Sequence, residues 1–189
     1  MFFKNSLFLI FFLIISCQPI EVVSPVDIDN SNLDRISINA KELLISNRYN
    51  SIFSSENIED QIKKPPLKLI ESWIKENITY FGNENKLIIN NLDASILKKE
   101  IVNVDAKKYE EKEIYQYVVS FLVEYELYND SNFLLANTTV ETSRSTTSKK
   151  YISLNETDLI INDLLNKSLK EFIIESKSMT KLYMGEYIQ

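Results

Sequence analysis

The most regular pattern of hydrophobic and polar positions in this 189-residue sequence lies between residues 115 and 127. Every odd position there carries an apolar or aromatic side chain: Tyr115, Tyr117, Val119, Phe121, Val123, Tyr125 and Leu127. The even positions include four polar side chains: Gln116, Ser120, Glu124 and Glu126. Because successive side chains of a strand point to opposite faces, this pattern predicts a strand with one buried face and one exposed face.

Three further segments have the pattern of strands, and we expect them over residues 34–46, 86–101 and about 133–146. In the first segment, Ile36, Ile38 and Ala40 alternate with polar residues. In the second, the apolar phase slips at Asn90-Asn91, which predicts a β-bulge near Asn91–Asp93. The third segment ends in a stretch rich in threonine and serine.

Two segments have the 3.6-residue period of amphipathic helices. The first begins at Pro65-Pro66, since proline suits the first turn of a helix, and ends at Gly82. Its apolar face holds six side chains: Leu67, Ile70, Trp73, Ile74, Ile78 and Phe81. The second begins with a capping box, in which Ser153 and Glu156 each bind a backbone amide of the other, and continues to about residue 180.

These elements follow one another in the order β-α-β-β-β-α. Three consecutive strands favour an antiparallel meander, and both helices need an apolar sheet face to pack against. The sequence therefore predicts an α+β fold, a two-layer sandwich with a mostly antiparallel four-stranded sheet and two helices on one face. We expect a single domain over residues 34–182 and a C-terminal tail over 183–189.

The first 16 residues have the pattern of a bacterial signal peptide. Lys4 precedes an unbroken apolar run from Leu7 to Ile15. These nine residues are too few to cross a hydrocarbon core of about 30 Å, which takes roughly 20 residues of helix. The run therefore indicates an export signal rather than a membrane-spanning helix.

The segment Ile14-Ile15-Ser16-Cys17 resembles the lipobox of bacterial lipoproteins. The resemblance implies diacylglyceryl transfer to the Cys17 sulfur, cleavage between Ser16 and Cys17, and acylation of the new amine in many Gram-negative species. Cys17 is the sole cysteine of the chain, and it stands at the one position that this motif requires. The alternative is an ordinary signal peptide followed by a chance cysteine.

Residues 17–33 should form a tether between the lipidated Cys17 and the domain, because Pro19, Pro25 and the lack of a period argue against a regular element. The residue after Cys17 is Gln18 rather than aspartate. By resemblance to enterobacterial sorting, this favours the outer membrane over the inner one. We therefore expect a periplasm-facing protein of the bacterial cell envelope.

The composition excludes more chemistry than it suggests. The absence of histidine rules out Ser-His-Asp and Cys-His catalysis and histidine-ligated zinc, and one cysteine cannot form an internal disulfide or a thiolate cluster. The only two glycines, Gly82 and Gly185, form no phosphate-binding loop. A net charge of −6 argues against nucleic acid as a partner. We accordingly expect no catalytic residue, no cofactor and no metal.

A few side chains remain as candidates for chemistry. Glu124 and Glu126 have the pattern of a solvated outer strand face rather than of a shielded acid-base pair. The tyrosines of the third strand and Trp73 could form a sugar platform, but their spacing favours the core. Arg144 is a candidate contact for a partner, an anion or a lipid headgroup, although a single exposed cation more often has no such role.

Several segments together resemble a group of short α-proteobacterial envelope lipoproteins of uncharacterised function. They are Pro65-Pro66 followed by Lys68–Ile74, then Leu92–Ile96, and then Ser143-Arg144-Ser145. Asn90-Asn91 departs from that pattern, in which apolar residues are expected. The order of elements is also similar to lipopolysaccharide-assembly lipoproteins and to auxiliary lipoproteins of lipid-trafficking ABC systems.

These resemblances imply a non-enzymatic accessory or assembly subunit of an outer-membrane or lipid-transport complex. Its partners would be membrane lipid, through acylated Cys17, and an envelope protein. The alternative is a small-ligand or lipid-binding module with a pocket between the helices and the sheet. A hydrolase that uses Asp or Glu is a third and weaker hypothesis.

Overall fold

The computed structural model describes residues 35–51 and 54–189, and within them the chain forms six strands and two α-helices. In chain order they are β1 (Ile36–Asn39), β2 (Glu42–Asn47), α1 (Pro66–Asn77), β3 (Ile78–Phe81), β4 (Lys86–Val102), β5 (Glu113–Tyr128), β6 (Leu134–Lys149) and α2 (Leu154–Met184). Single turns of 3₁₀-helix lie at Glu59–Gln61 and Gly185–Tyr187. The predicted order β-α-β-β-β-α is thus present, with the first predicted strand divided into β1 and β2 and with the short strand β3 added after α1.

The main sheet has the strand order β2-β4-β5-β6, and its two long hairpins are antiparallel. β2 runs parallel to β4, because α1 carries the chain back to the end at which β2 began. A second sheet of two strands pairs β1 with β3, also in parallel. The predicted α+β fold is confirmed, with the qualification that the sheet is mixed.

The first predicted strand is bent into two, and so is its parallel neighbour. β1 gives way to β2 at Ala40-Lys41, and β3 gives way to β4 across Gly82–Asn85. Gly82 has a φ of +116°, and a Cβ there would overlap with the Asn39 side chain. The Ala40 N–H donates to the Phe81 carbonyl at 2.8 Å, so the two bends lie side by side. The parallel pair β1 and β3 therefore turns away from the main sheet and forms the small one, while β2 and β4 continue the same two segments inside the main sheet.

Helix α1 ends at Asn77, earlier than its apolar spacing predicts. Ile78 and Phe81 continue the helical period in the sequence, but they lie in β3, where Ile78 pairs with Ile36 of β1. The sequence of β3, Ile-Thr-Tyr-Phe, consists of β-branched and aromatic residues, which favour strands. Pairing with β1 thus overrides the helical spacing at this point.

Two local predictions are confirmed. The register of β4 against β5 shifts between Asn91 and Asp93, where the bulge was expected. At the start of α2, the Ser153 Oγ accepts the Glu156 N–H at 3.2 Å, and a Glu156 carboxylate oxygen accepts the Ser153 N–H at 2.8 Å. The capping box therefore begins the helix as its sequence predicts.

Both helices pack on the same face of the main sheet. The ring of Phe172 in α2 contacts Trp73 of α1 and Phe121 of β5, with centroids 5.7 Å and 5.5 Å apart. Trp73, Tyr117 and Tyr125 are fully buried, which confirms that these aromatic side chains belong to the core. The predicted alternative of a pocket between helices and sheet gains no support from these contacting rings.

Candidate functional site

The predicted signal peptide, the tether, the lipid attachment at Cys17 and the cleavage next to Ser16 lie outside the described residues. They stay predictions. In the described ranges, 35–51 and 54–189, we find no helix with the length and apolar character needed to cross a membrane.

The free side of β6 is the longest open backbone edge of the main sheet, and we call it the open edge (Leu134–Lys149). β6 forms its ladder with β5 on one side, from Tyr128↔Leu134 to Ile114↔Lys149. On the other side no strand from the described part of the chain pairs with it. The backbone groups on that side are therefore available to another strand.

The opposite edge of the sheet is formed by two shorter segments, which lie one after the other along β4. β2 pairs with the first part of β4, from Lys86 to Asn91. Farther along, the Ile58 N–H donates to the Ile96 carbonyl at 3.3 Å, and the Lys98 N–H donates to the Glu56 carbonyl at 2.7 Å. The edge on this side is thus divided, and its strand β2 has only 6 residues, whereas β6 forms one continuous edge of 16 residues.

Half of the 16 side chains of β6 are the small hydroxyl side chains of serine or threonine. Those that alternate toward the helices are Thr138, Val140, Thr142, Arg144, Thr146 and Ser148. Those on the outer face are exposed: Asn137, Thr139, Glu141, Ser143, Ser145 and Thr147. β6 contains neither proline nor glycine, and its charged residues are Glu141, Arg144 and Lys149. The strand is therefore polar but carries few charges.

Arg144, the predicted partner contact, lies on the helix-facing side of β6. Its Nη1 donates to the Glu171 carboxylate of α2 at 2.9 Å, and the two side chains are 44% and 48% exposed. The ion pair joins β6 to α2 across their shared seam. A role of Arg144 in contacting a partner stays a prediction.

The carboxylates of Glu124 and Glu126 lie on the outer face of β5, as predicted, but they are half-buried and bound. The Asn90 Nδ2 donates to Glu124 at 3.0 Å and to Glu126 at 2.8 Å, and the Tyr128 hydroxyl donates to Glu126 at 3.1 Å. Burial, followed by this hydrogen bond, raises the pKa of Tyr128. The cluster joins β4 to β5 through hydrogen bonds between their side chains.

Sequence reasoning missed the role of Asn90 in this cluster. The signal was the polar pair Asn90-Asn91 inside an apolar strand, which predicted only the bulge. Asn90 and Asn91 are both fully buried, but they differ in their partners. Asn91 has no hydrogen-bond partner for either side-chain polar atom among the described residues, and neither has the Trp73 Nε1.

A second polar cluster closes the far end of the sheet. The Lys150 ammonium lies 2.8 Å from Glu100 and 2.9 Å from Glu113, and the Lys98 ammonium lies 3.9 Å from the centroid of the Tyr115 ring. Hydrogen bonds to the two glutamates raise the pKa of Lys150, and the bond from Lys150 lowers that of Glu113. These contacts tie β4, β5 and the turn after β6 together.

A metal site would need several ligating side chains in one place. Within residues 35–51 and 54–189 no three carboxylate, imidazole or thiol side chains converge as metal ligands would. The feature of the described domain that offers most to a partner is therefore the open edge of β6.

Comparison with known proteins gives distant likenesses. No protein-family model matches the chain, and no curated protein matches it. Solved structures similar to it include a minor lipoprotein from Acinetobacter baumannii (6% identity, 74% of this chain and 95% of that chain covered, TM-score 0.40). Rare lipoprotein B from Shewanella oneidensis is 11% identical over 72% of this chain and 94% of its own, with a TM-score of 0.37.

A third structure is a neuraminyllactose-binding hemagglutinin homolog from Helicobacter pylori, at 13% identity over 82% of this chain and 97% of its own, with a TM-score of 0.30. Two of the three are named lipoproteins. At these TM-scores the likenesses do not establish what this chain does.

Proposed function

We propose that this chain is a membrane-anchored envelope lipoprotein that acts, without catalysis of its own, as an accessory or assembly subunit of an outer-membrane or lipid-transport complex. The observation that carries the proposal is the lipobox-like segment ending at Cys17, the sole cysteine of the chain. Each buried methylene of an acyl chain contributes about 0.8 kcal/mol, so two or three chains hold a protein stably at a bilayer.

The proposed non-catalytic role rests on composition and on the use of the polar side chains. Histidine is absent, and the one thiol stands at the anchor position. Glu124 and Glu126 bind Asn90, while Glu100 and Glu113 bind Lys150. These carboxylates thus hold strands together, which supports a domain built for recognition rather than for reaction.

The anchor is tested in the native host with the full chain and Cys17→Ser. We expect the unmodified chain in the membrane fraction, with the mass of a product that begins at Cys17 and carries acyl groups. Cys17→Ser should be released or misprocessed, whereas the control Ser16→Ala keeps a small residue before the cleavage point and should be processed. Equal membrane retention and mass for Cys17→Ser would refute lipidation. Density-gradient separation of the two membranes tests the proposed outer location.

The accessory role is tested by chemical crosslinking in intact cells, followed by solubilisation and identification of the adducts. We expect one defined envelope protein in repeated experiments. Recovery of this chain alone, at crosslinker levels that capture a known envelope complex in the same cells, would contradict the accessory role.

A further inference from the structure

We propose that the open edge of β6 is the surface through which this chain docks its partner, and that the partner supplies an extended β-strand that lengthens the main sheet. This inference rests on the proposed function and gives it a surface and a kind of partner. It follows from the backbone of β6, from the side chains beside it, and from the contrast with the short, divided opposite edge.

The backbone of the open edge is complementary to one kind of structure. Alternate residues of a strand direct their N–H and C=O groups to the same side, so about half of the 16 residues of β6 face away from β5. Donors and acceptors at this spacing are matched by another extended backbone. A helix satisfies its own backbone groups and could not pair with them.

The open edge has few of the features that prevent strand addition. Sheet edges are commonly blunted by proline, by bulges, by lysine, or by a covering segment. From Ala136 to Lys149, β6 stays in unbroken register with β5 and contains no proline. The other edge of the same sheet consists of the 6-residue strand β2 and, farther along β4, of residues 56–58. The edge at β6 is thus the longer and more regular of the two.

The side chains beside the open edge can accept a neighbouring strand at little electrostatic cost. Arg144 is already paired with Glu171, so an approaching strand has to desolvate few free charges. The outer face carries small hydroxyl side chains at Thr139, Ser143 and Thr147. Small residues leave room for larger ones opposite them, and we therefore expect β-branched or aromatic side chains on the outer face of the partner strand.

The chain offers a matched pair of positions for the test. Ser143 of β6 lies directly opposite Ser120 of β5, with their hydroxyls 3.2 Å apart, and Thr147 lies opposite Gln116. Lysines at Ser143 and Thr147 place charge at the edge. Lysines at Ser120 and Gln116 place the same charge on the same face, one strand farther in.

The experiment uses the full chain in its native host, with a photo-reactive benzoylphenylalanine at Thr139 as reporter. We expect an ultraviolet-dependent adduct with one envelope protein. Ser143→Lys/Thr147→Lys should lower the adduct yield about tenfold or more, while Ser120→Lys/Gln116→Lys should leave it within about twofold. Circular dichroism and the thermal midpoint of each purified variant report whether it is folded.

Several results would overturn the inference. One is a partner that chemical crosslinking captures but that gives no adduct with the reporter at Thr139. Another is an adduct whose yield is unchanged in Ser143→Lys/Thr147→Lys. If the adduct is lost only in Ser120→Lys/Gln116→Lys, the partner contacts the outer face of the sheet and not its edge. An adduct between two copies of this chain would assign the edge to self-association. In all four cases the proposed function can stand, whereas it fails together with the inference when no partner is found by any crosslinking.

Discussion

The two margins of the main sheet are built from different chemistry. The first margin, formed by β2, β4 and α1, buries large apolar side chains such as Leu87, Ile89 and Trp73. The second margin is formed by β6, which buries the hydroxyl side chains Thr138 and Ser148, with Val140 as its fully buried apolar residue. Helix α2, which packs beside β6, buries both kinds of side chain: hydroxyls at Ser168, Ser176 and Thr180, and apolar residues such as Leu165, Leu169 and Phe172. The first margin ends in the 6-residue strand β2, whereas the second ends in the 16-residue open edge of β6.

This difference implies that the part of the sheet that contributes most to stability is not the part that is open to a partner. Burying apolar surface contributes roughly 25 cal/mol per Å², whereas a buried hydroxyl gains little beyond the hydrogen bond that it makes. We therefore expect the first margin to contribute more to the stability of the domain than β6 does. β6 is held mainly by its ladder to β5, and we expect it to open locally at lower free energy than β4. The following variants test that contrast, from the largest expected effect to the smallest.

Trp73→Ala should have the largest effect, because it empties the centre of the first margin where Trp73 contacts Phe172. Replacing a buried tryptophan by alanine typically lowers the free energy of unfolding by about 3–5 kcal/mol. Denaturant titration of the described domain measures it. Trp73→Phe is the control, and it should lose much less, since the Nε1 has no partner among the described residues. A loss below about 1 kcal/mol for Trp73→Ala would contradict the role given to the first margin.

Asn91→Leu should stabilise the domain, although it changes a strand residue that is fully buried. The Asn91 amide has no hydrogen-bond partner in the described ranges, and burying such a group costs about 1–3 kcal/mol. The neighbouring Asn90→Leu should have the opposite sign, because it removes the donor from Glu124 and Glu126. If both variants shift the urea midpoint in the same direction, the assigned partners of these two amides are wrong.

Thr142→Val tests whether the second margin contains a buried hydroxyl without a hydrogen-bond partner. The Thr142 Oγ1 is buried without a partner among the described residues, and valine has nearly the same shape. We expect a gain of about 1 kcal/mol or less in the free energy of unfolding. The matched control is Thr147→Val, which is on the exposed outer face and should be close to neutral. Destabilisation by Thr142→Val would show that its hydroxyl makes a bond.

Arg144→Ala should have a small effect on stability. The ion pair with Glu171 is almost half exposed on both sides, and such pairs contribute about 0.2–1 kcal/mol. A double-mutant cycle with Glu171→Ala, repeated at low and high salt, isolates the interaction. A coupling that salt does not weaken would mean that the pair is more shielded than its exposure indicates.

The smallest expected effect is the acid response of the α2 capping box. Hydrogen bonds from the Ser153 backbone and hydroxyl lower the pKa of Glu156 below its ordinary value. A carboxyl with a lowered pKa in the folded state contributes stability above its unfolded pKa and loses it as the pH falls through the folded one. In Glu156→Gln the free energy of unfolding should therefore fall less steeply as the pH drops below about 4.5. Asp158→Asn, at an exposed position of the same helix, is the control and should keep the slope of the unmodified chain. Identical acid profiles for wild type and Glu156→Gln would contradict this.

Local patterns in the sequence were sufficient for much of the fold. The alternation over 115–127 identified β5, Ser153 and Glu156 identified the start of α2, and the phase slip identified the bulge after Asn91. Each of these depends on neighbours within a few residues. The parallel pairing of β2 with β4 could not be read in this way, because periodicity shows that a strand exists but not which strand lies beside it.

The candidate site was harder to predict for the same reason. The open edge depends on strand order, and the bond from Asn90 to Glu124 joins residues 34 positions apart in the sequence. Arg144 was identified as a candidate, but its ion pair with Glu171 depends on how α2 crosses β6. The anchor at Cys17 is the opposite case, since its motif is local and it lies outside the described residues.

The bend that separates the small sheet from the main one has a mechanical consequence. A force on the chain ahead of Ile36, such as a membrane tether would exert, enters the domain through β1. That strand is bonded on both sides, to β3 on one and through the Ser37 carbonyl to the Gln189 N–H on the other. When the force acts along β1, its bonds are sheared together rather than opened one by one. The small sheet would therefore bear the load, while the open edge of β6 stays free of tension.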